Sequence, residues 1–191
     1  MKPRKCKAKG CGIAFTPQRM GQSACSPPCA IEIARAKKEQ AETRARSDAR
    51  KADRQKREQM KGIPELKKEA QREFNRYIRA RDKRNGFACI CCGLPLEWGR
   101  FGGAVDAGHY RSTGSADHLR FDEDNCHAQR ADCNRYGAGR AVDYRVGLVG
   151  RIGLQRVEAL EANNASIKWL RDDLRAIRDL YRAKARQLEK Q

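Results

Sequence analysis

Long apolar runs are missing from this 191-residue chain. Hydrophobic residues make up 39% of it and aromatic ones 6%. No stretch approaches the roughly 18–20 apolar residues that a membrane span requires, and mean hydropathy is −0.88. The basic start MKPRKCKAKG has no apolar run behind it and does not read as a secretory signal. With so few large apolar side chains, one big core is excluded, and compact patches joined by solvated helix are expected instead. A membrane protein, a secreted protein and a large metabolic fold are thereby set aside.

Negative charge is also short. There are 42 Lys and Arg against 24 Asp and Glu, a net charge of +18. Residues 1–63 carry a net +11 and residues 64–191 a net +7, so both parts are basic. A chain of this kind suits a polyanionic partner, and nucleic acid is the commonest one. A membrane surface fits less well, because the basic runs lack an opposing apolar face.

Cysteine is plentiful, with nine residues. In a reducing compartment such density reads as metal binding rather than disulfides. Four lie in residues 6–29 and five in residues 89–133, which implies two metal-stapled modules. Cys6, Cys11, Cys25 and Cys29 form two close pairs that can offer four thiolates to one tetrahedral zinc. Cys89 and Cys92 form a two-residue-gap knuckle, and Cys133 with Cys126 or His127 can complete a second four-ligand site.

Between and around these modules the chain reads as helical. Residues 29–61 contain no Gly or Pro and are dominated by Ala, Arg, Lys, Glu and Gln, which predicts one long, solvated, basic helix. Pro64 suits the first turn of a new helix whose Leu66, Ala70, Phe74, Tyr77 and Ile78 form a stripe facing the second metal module. After residue 137 further helices follow, and Ser166 is a candidate cap for a last amphipathic one. The expected fold class is therefore α+β and mostly helical. Its parts are a zinc-binding module at 1–30, a basic helical connector at 31–62, a zinc-stapled domain at 63–162 and a C-terminal amphipathic helix at 163–191.

The window 86–137 concentrates chemistry. A zinc knuckle, then the strand segment VDAGHYRS, then Asp124-Asn125 and a closing Cys133-Asn134 together resemble an HNH (ββα-metal) nuclease centre. The strings FTPQR, CSPPCA, AGHYRS, LRFDEDN and DYRVGLVGRIGLQRVEALE, in this order, are similar to the phage recombination proteins called NinG or Rap, of the lambdoid nin region. The resemblance runs over essentially the whole length. It implies a structure-selective endonuclease acting on branched recombination intermediates, including Holliday junctions and D-loops. It also implies a protein working in the cytoplasm of a bacterial host. The family pattern has a two-residue-gap pair closing the second site, whereas Arg130 stands where its first cysteine belongs, and Asp106 stands where the family tends to have His.

Phosphodiester hydrolysis needs a base for the attacking water and a cation for the leaving oxyanion. His109 has the ionisation range of such a base. Asn134 opposite it, with Asp106 and phosphate oxygens, would ligate Mg²⁺ or Mn²⁺. Asn125 would hold the His109 strand through backbone hydrogen bonds. Arg111, Arg120 and Arg135 near the centre, and Arg44, Arg50 and Arg54 along the connector, are candidates to grip phosphate. Two competing readings remain. One is a zinc-finger nucleic-acid binder without catalysis; the other is an accessory that engages host or phage recombination proteins through the basic helix. The last helix is a candidate homodimer interface.

Overall fold

A helix free of Gly and Pro after its first turn dominates the N-terminal part. α1 spans Pro27–Met60 and buries no residue, because alternating bases and acids leave it no apolar face. The computed structural model describes residues 1–99, 103–137 and 139–190. Within these, the chain falls into two compact units, Met1–Met60 and Lys61–Gln191. Ahead of α1, two-residue strands β1 (Arg4–Lys5) and β2 (Ala14–Phe15) pair antiparallel and close the first cysteine loop. That loop has a very small core: Cys6, Ala8 and Ala24, flanked by Phe15 and Ile33.

The second unit begins with α2 (Ile63–Arg84), whose first turn contains Pro64. Its stripe Leu66, Ala70, Phe74 and Ile78 is fully buried. The stripe meets the hairpin through Phe121 and Cys126, and it also meets Trp169, Leu174 and Tyr181 at the C-terminal end. The last helix is thus part of the same core. Phe74 sits at its centre, edge-on to Tyr181 at 4.8 Å and to Phe121 at 5.8 Å.

β3 (Val105–His109) and β4 (Cys126–Arg130) form an antiparallel hairpin with Val105 opposite Arg130 and His109 opposite Cys126. One five-residue π-helical turn, Asp132–Tyr136, follows it. The next α-helix, α3, begins only at Ala141 and runs to Ile152; α4 spans Leu154–Ala162. α3 lies directly on the knuckle. A Cβ on Gly147 would sit 1.8 Å from the carbonyl oxygen of Ile90, so only glycine permits this approach.

Ser166 does not cap the last helix. α5 runs from Arg171 to Glu189, and Asp173 accepts the Leu170 N–H at 3.3 Å. Asp172 and Asp173 favour a helix start there, while the Trp169 indole, bonded to Asp117 at 2.8 Å, keeps the preceding segment extended. No helix among the described residues is long and apolar enough to cross a membrane.

Candidate active-site cleft and cysteine centres

Two groups of thiols could hold a metal ion. In the first unit, Cys6, Cys11, Cys25 and Cys29 bring their sulfurs within 4.8 Å of one another. Cys11 to Cys25 is 3.6 Å and Cys25 to Cys29 is 3.8 Å. A tetrahedral zinc with Zn–S bonds of about 2.3 Å separates its sulfurs by about 3.8 Å, so the spacing fits. Cys29 lies in the first turn of α1. The N–H groups of Ala8 and Cys25 aimed at Cys6 bring its thiol down to about 7. The neighbouring Cys11 thiol, with burial, pushes Cys25 up to about 12. Four thiolates this close repel, and a divalent cation between them would relieve that repulsion.

The second group is Cys89, Cys91, Cys92 and Cys133. Its fourth thiol is Cys91, and neither Cys126 nor His127 belongs to it. The reason is register. Arg130 donates its N–H to Cys89 Sγ at 3.2 Å, whereas Cys126 stands four residues away at the other end of β4, about 13 Å along the strand. The knuckle turn is closed by Gly93, at φ +69°, donating to the Cys89 carbonyl at 3.0 Å. Gln129 Nε2 reaches Cys91 Sγ at 3.3 Å. Burial works against ionisation of Cys89, but the N–H groups of Arg130, Cys92 and Cys91 outweigh it and bring the thiol to about 7.

Cys126 and His127 serve the core instead. Cys126 is fully buried beside His109, with Sγ 3.7 Å from Nδ1, and burial holds it as a thiol. His127 packs on the buried carboxylate of Asp82 at 3.7 Å, and Arg81 contacts its Nδ1 at 3.0 Å. Asp82 also accepts the Ala128 N–H at 2.6 Å and so joins α2 to β4. Tyr144 of α3 bridges the two strands, donating to the Gly108 carbonyl at 2.8 Å and accepting from the His127 N–H at 3.0 Å. Neither Asp82 nor Tyr144 stood out in the sequence, since each lies in an ordinary helical pattern.

On the hairpin, His109 and Asn134 line one cleft of about 740 Å³ together with Arg111, Ser112 and Glu161. His109 Nε2 lies 2.9 Å from the Arg120 carbonyl. A carbonyl only accepts, so that nitrogen carries the proton and Nδ1 keeps the lone pair. Burial pushes the imidazole below its ordinary 6.5. Asn125, fully buried, accepts the Arg111 N–H at 2.8 Å and donates to the carbonyls of Arg111 and Leu119 at 3.0 and 3.1 Å. It thereby fixes the strand end that presents His109.

Asp106 takes a bidentate ion pair from Arg135, at 2.8 and 2.7 Å, and a hydrogen bond from Asn134 Nδ2 at 3.0 Å. Among the described residues nothing is hydrogen-bonded to the Asn134 amide oxygen. Three of the arginines expected at phosphate have internal duties. Arg135 neutralises Asp106. Arg111 borders the cleft, but its guanidinium closes the end of α4 on the carbonyls of Leu160, Glu161 and Asn163 and on the Asn164 side chain. Arg120 is paired with Asp117 at 2.5 Å and bonded to Gln71 and the Thr113 carbonyl, both at 3.1 Å. Arg44, Arg50 and Arg54 stand exposed along α1.

No solved structure matches the chain. Protein ninG of Salmonella phage P22 is 35% identical over 202 aligned residues, covering 97% of this chain and 93% of the relative. Protein ninG of Escherichia phage lambda matches with the same identity and coverage. That of Escherichia phage 933W is 41% identical over 123 residues, 63% of this chain. The family model described as the bacteriophage lambda NinG protein matches residues 1–191, and the chain belongs to the NinG family.

Proposed function

We propose that the chain is a structure-selective endonuclease that hydrolyses phosphodiesters in branched recombination intermediates such as Holliday junctions and D-loops. The observation that supports this most is the shared cleft. A half-buried, neutral imidazole and the Asn134 amide border one open space, on a strand that Asn125 holds in place. Zinc in the two thiol groups would act as scaffold and lie outside the reaction.

In this reading the His109 imidazole takes the proton of the attacking water: Nε2–H is anchored on the Arg120 carbonyl, and Nδ1, which rests 3.7 Å from the Cys126 thiol, turns from that thiol to the water when substrate binds. Neutral at pH 7, the imidazole needs no prior deprotonation. Asn134 Oδ1, the oxygen turned away from Asp106, is a hard donor of the kind Mg²⁺ or Mn²⁺ prefers alongside substrate phosphate oxygens, and Asp106 would join it on releasing Arg135. A cation held there would stabilise the leaving oxyanion. The net charge of +18 favours a backbone-reading, salt-sensitive contact with DNA.

A second reading, a zinc-stapled nucleic-acid-binding accessory without catalysis, draws on the pairing of Asp106 with Arg135, which already satisfies that carboxylate. One experiment separates the two. Labelled four-way junction and linear duplex are incubated with zinc-loaded protein, with and without Mg²⁺ or Mn²⁺. Divalent-dependent cleavage of the junction supports the nuclease; binding with no cleavage under any metal supports the accessory.

A further inference from the structure

α2 has a second face. Beside its apolar stripe, Lys67, Lys68, Gln71, Arg72, Asn75 and Arg79 line a groove of about 610 Å³, with Pro64 at one end and Arg120 along its wall. Pro64 to Arg79 covers about 22 Å of helix at about 1.5 Å per residue. That matches about six nucleotides of one strand at about 3.4 Å each.

Most of these cations are already balanced. Lys67 and Arg120 share Asp117, at 2.7 and 2.5 Å, and Arg72 pairs with Glu73 at 3.2 Å. Lys68 and Arg79 are different: among the described residues neither makes a hydrogen bond or an ion pair. Lys68 is exposed, so water solvates it at no cost. Arg79 is half-buried between α2 and the hairpin. Burial weakens its hold on the proton, and Asp106 offsets this only through space. A guanidinium held part-way out of water without an acceptor pays desolvation and recovers nothing from inside the chain. Its planar fork of five donors matches a phosphate, and an arriving phosphate would supply the missing acceptors. Asp106 is bonded to Asn134, so Arg79 stands next to the residues that border the cleft.

We infer that this groove holds a nucleic-acid strand by its phosphates, with Arg79 gripping the phosphate nearest the cleft and Lys68 one further along. The inference rests on the nucleic-acid reading of the chain but not on catalysis. Asn75 and Gln71, bonded to each other at 2.7 Å, add neutral donors to the floor without adding charge. The groove carries no aromatic side chain among its lining residues, so it reads backbone and not base faces.

The test is equilibrium binding of labelled four-way junction to full-length, zinc-loaded protein, without added divalent cation, across a salt series. Each phosphate contact contributes about 0.9 to the slope of log affinity against log salt. Arg79→Ala is expected to lower that slope by about one and to weaken binding at fixed salt, and adding Lys68→Ala to lower it by about one more. Arg79→Lys, which keeps the charge and loses the fork, should retain the slope while binding less tightly. Lys168→Ala, an exposed cation outside the groove, should leave the slope nearly unchanged. Because Arg79 has no internal bond to lose, its variants should keep the wild-type far-ultraviolet dichroism and zinc content. An unchanged slope in Arg79→Ala, or an equal fall in Lys168→Ala, overturns the groove. Failure of wild-type protein to cleave, with the slopes as expected, refutes the nuclease and leaves the groove standing.

Discussion

Asn125 clamps the peptide unit of Arg111 from both sides, its Oδ1 accepting the N–H at 2.8 Å and its Nδ2 donating to the carbonyl at 3.0 Å. A backbone amide at the end of a two-stranded hairpin has no further strand to pair with, and at a buried position water cannot replace one. Asn125 supplies that missing strand. The same Nδ2 also bonds the Leu119 carbonyl, so one side chain ties β3 to the turn before β4.

Asn125→Ala is therefore expected to cost about 3 kcal/mol, since it orphans a buried N–H and two carbonyls rather than one exposed group. Urea denaturation of the zinc-loaded protein measures this. Asn125→Asp should be no better, because it keeps the acceptor but sets a carboxylate oxygen against both carbonyls. A loss below about 1 kcal/mol in either variant would show that the clamp is dispensable.

The metal stoichiometry should follow the structure's choice of thiols. Cys91→Ser is expected to lower zinc bound per chain from two towards one, while Cys126→Ser leaves it at two, because Cys126 lies with His109 and outside the thiol group. Native mass spectrometry counts the ions directly. The opposite pattern would return the fourth ligand to Cys126.

Gly147→Ala should be among the most damaging single changes. The added methyl meets a backbone oxygen, Ile90 O, at 1.8 Å, and a backbone atom in a knuckle cannot swing aside as a side chain could. The expected loss is about 3 kcal/mol or more, read as a lowered Tm. Gly150→Ala, three residues on in the same helix and with open space at its Cβ, is the control and should be neutral or slightly stabilising.

Much of this architecture is legible in the residues themselves. The run without Gly or Pro becomes α1, and Pro64 starts α2. The stripe from Leu66 to Ile78 is the core, and the nine cysteines sort into the two windows where the thiol groups form. What failed was decided by distance through space. Cys126 looks like a ligand because it is close in sequence to Cys133, but the strand between them carries it away. Cys91 does not look like a ligand, because the two-residue gap from Cys89 to Cys92 already makes the usual zinc knuckle without it. Arg111 and Arg120 look like phosphate grips because nothing in a sequence tells a guanidinium facing solvent from one closing a helix end. Asp82 sits amid Arg81, Lys83 and Arg84 as though on a solvated face, yet it is fully buried.

Asp82 gives the hairpin an acid-sensitive joint. Although burial opposes its ionisation, His127, Arg81 and the Ala128 N–H hold its carboxyl down at about 2, below the ordinary 3.8. A depressed carboxyl stabilises the fold fully above its unfolded value, and that contribution is lost as pH falls from about 4 towards about 2. Asp82→Asn should therefore be less stable than wild type at pH 7, and the gap should narrow as the pH falls through that window. Denaturation midpoints for the pair at matched zinc loading test this. A gap independent of pH would mean that the carboxylate charge is not what matters.

The sharpest prediction concerns His109. Its Nε2 proton points at the Arg120 carbonyl and its ring is half-buried, and the desolvation pushes the imidazole below 6.5 and leaves it neutral at physiological pH. A base works only in its neutral form. Cleavage should therefore hold steady through pH 7 and fall only on the acid side, with the limb below 6.5. His109→Ala should lower cleavage of a four-way junction by orders of magnitude and leave junction affinity nearly unchanged, because a base acts on water in the transition state and adds little to ground-state phosphate contacts. Asn134→Ala should also slow the reaction, with partial rescue at high Mg²⁺ or Mn²⁺, since added cation can refill a weakened shell. Single-turnover rates across pH, alongside binding by anisotropy, distinguish these outcomes. A His109→Ala protein that cuts at the wild-type rate removes the nuclease assignment from this cleft, and an acid limb above 6.5 removes this imidazole from the role of base.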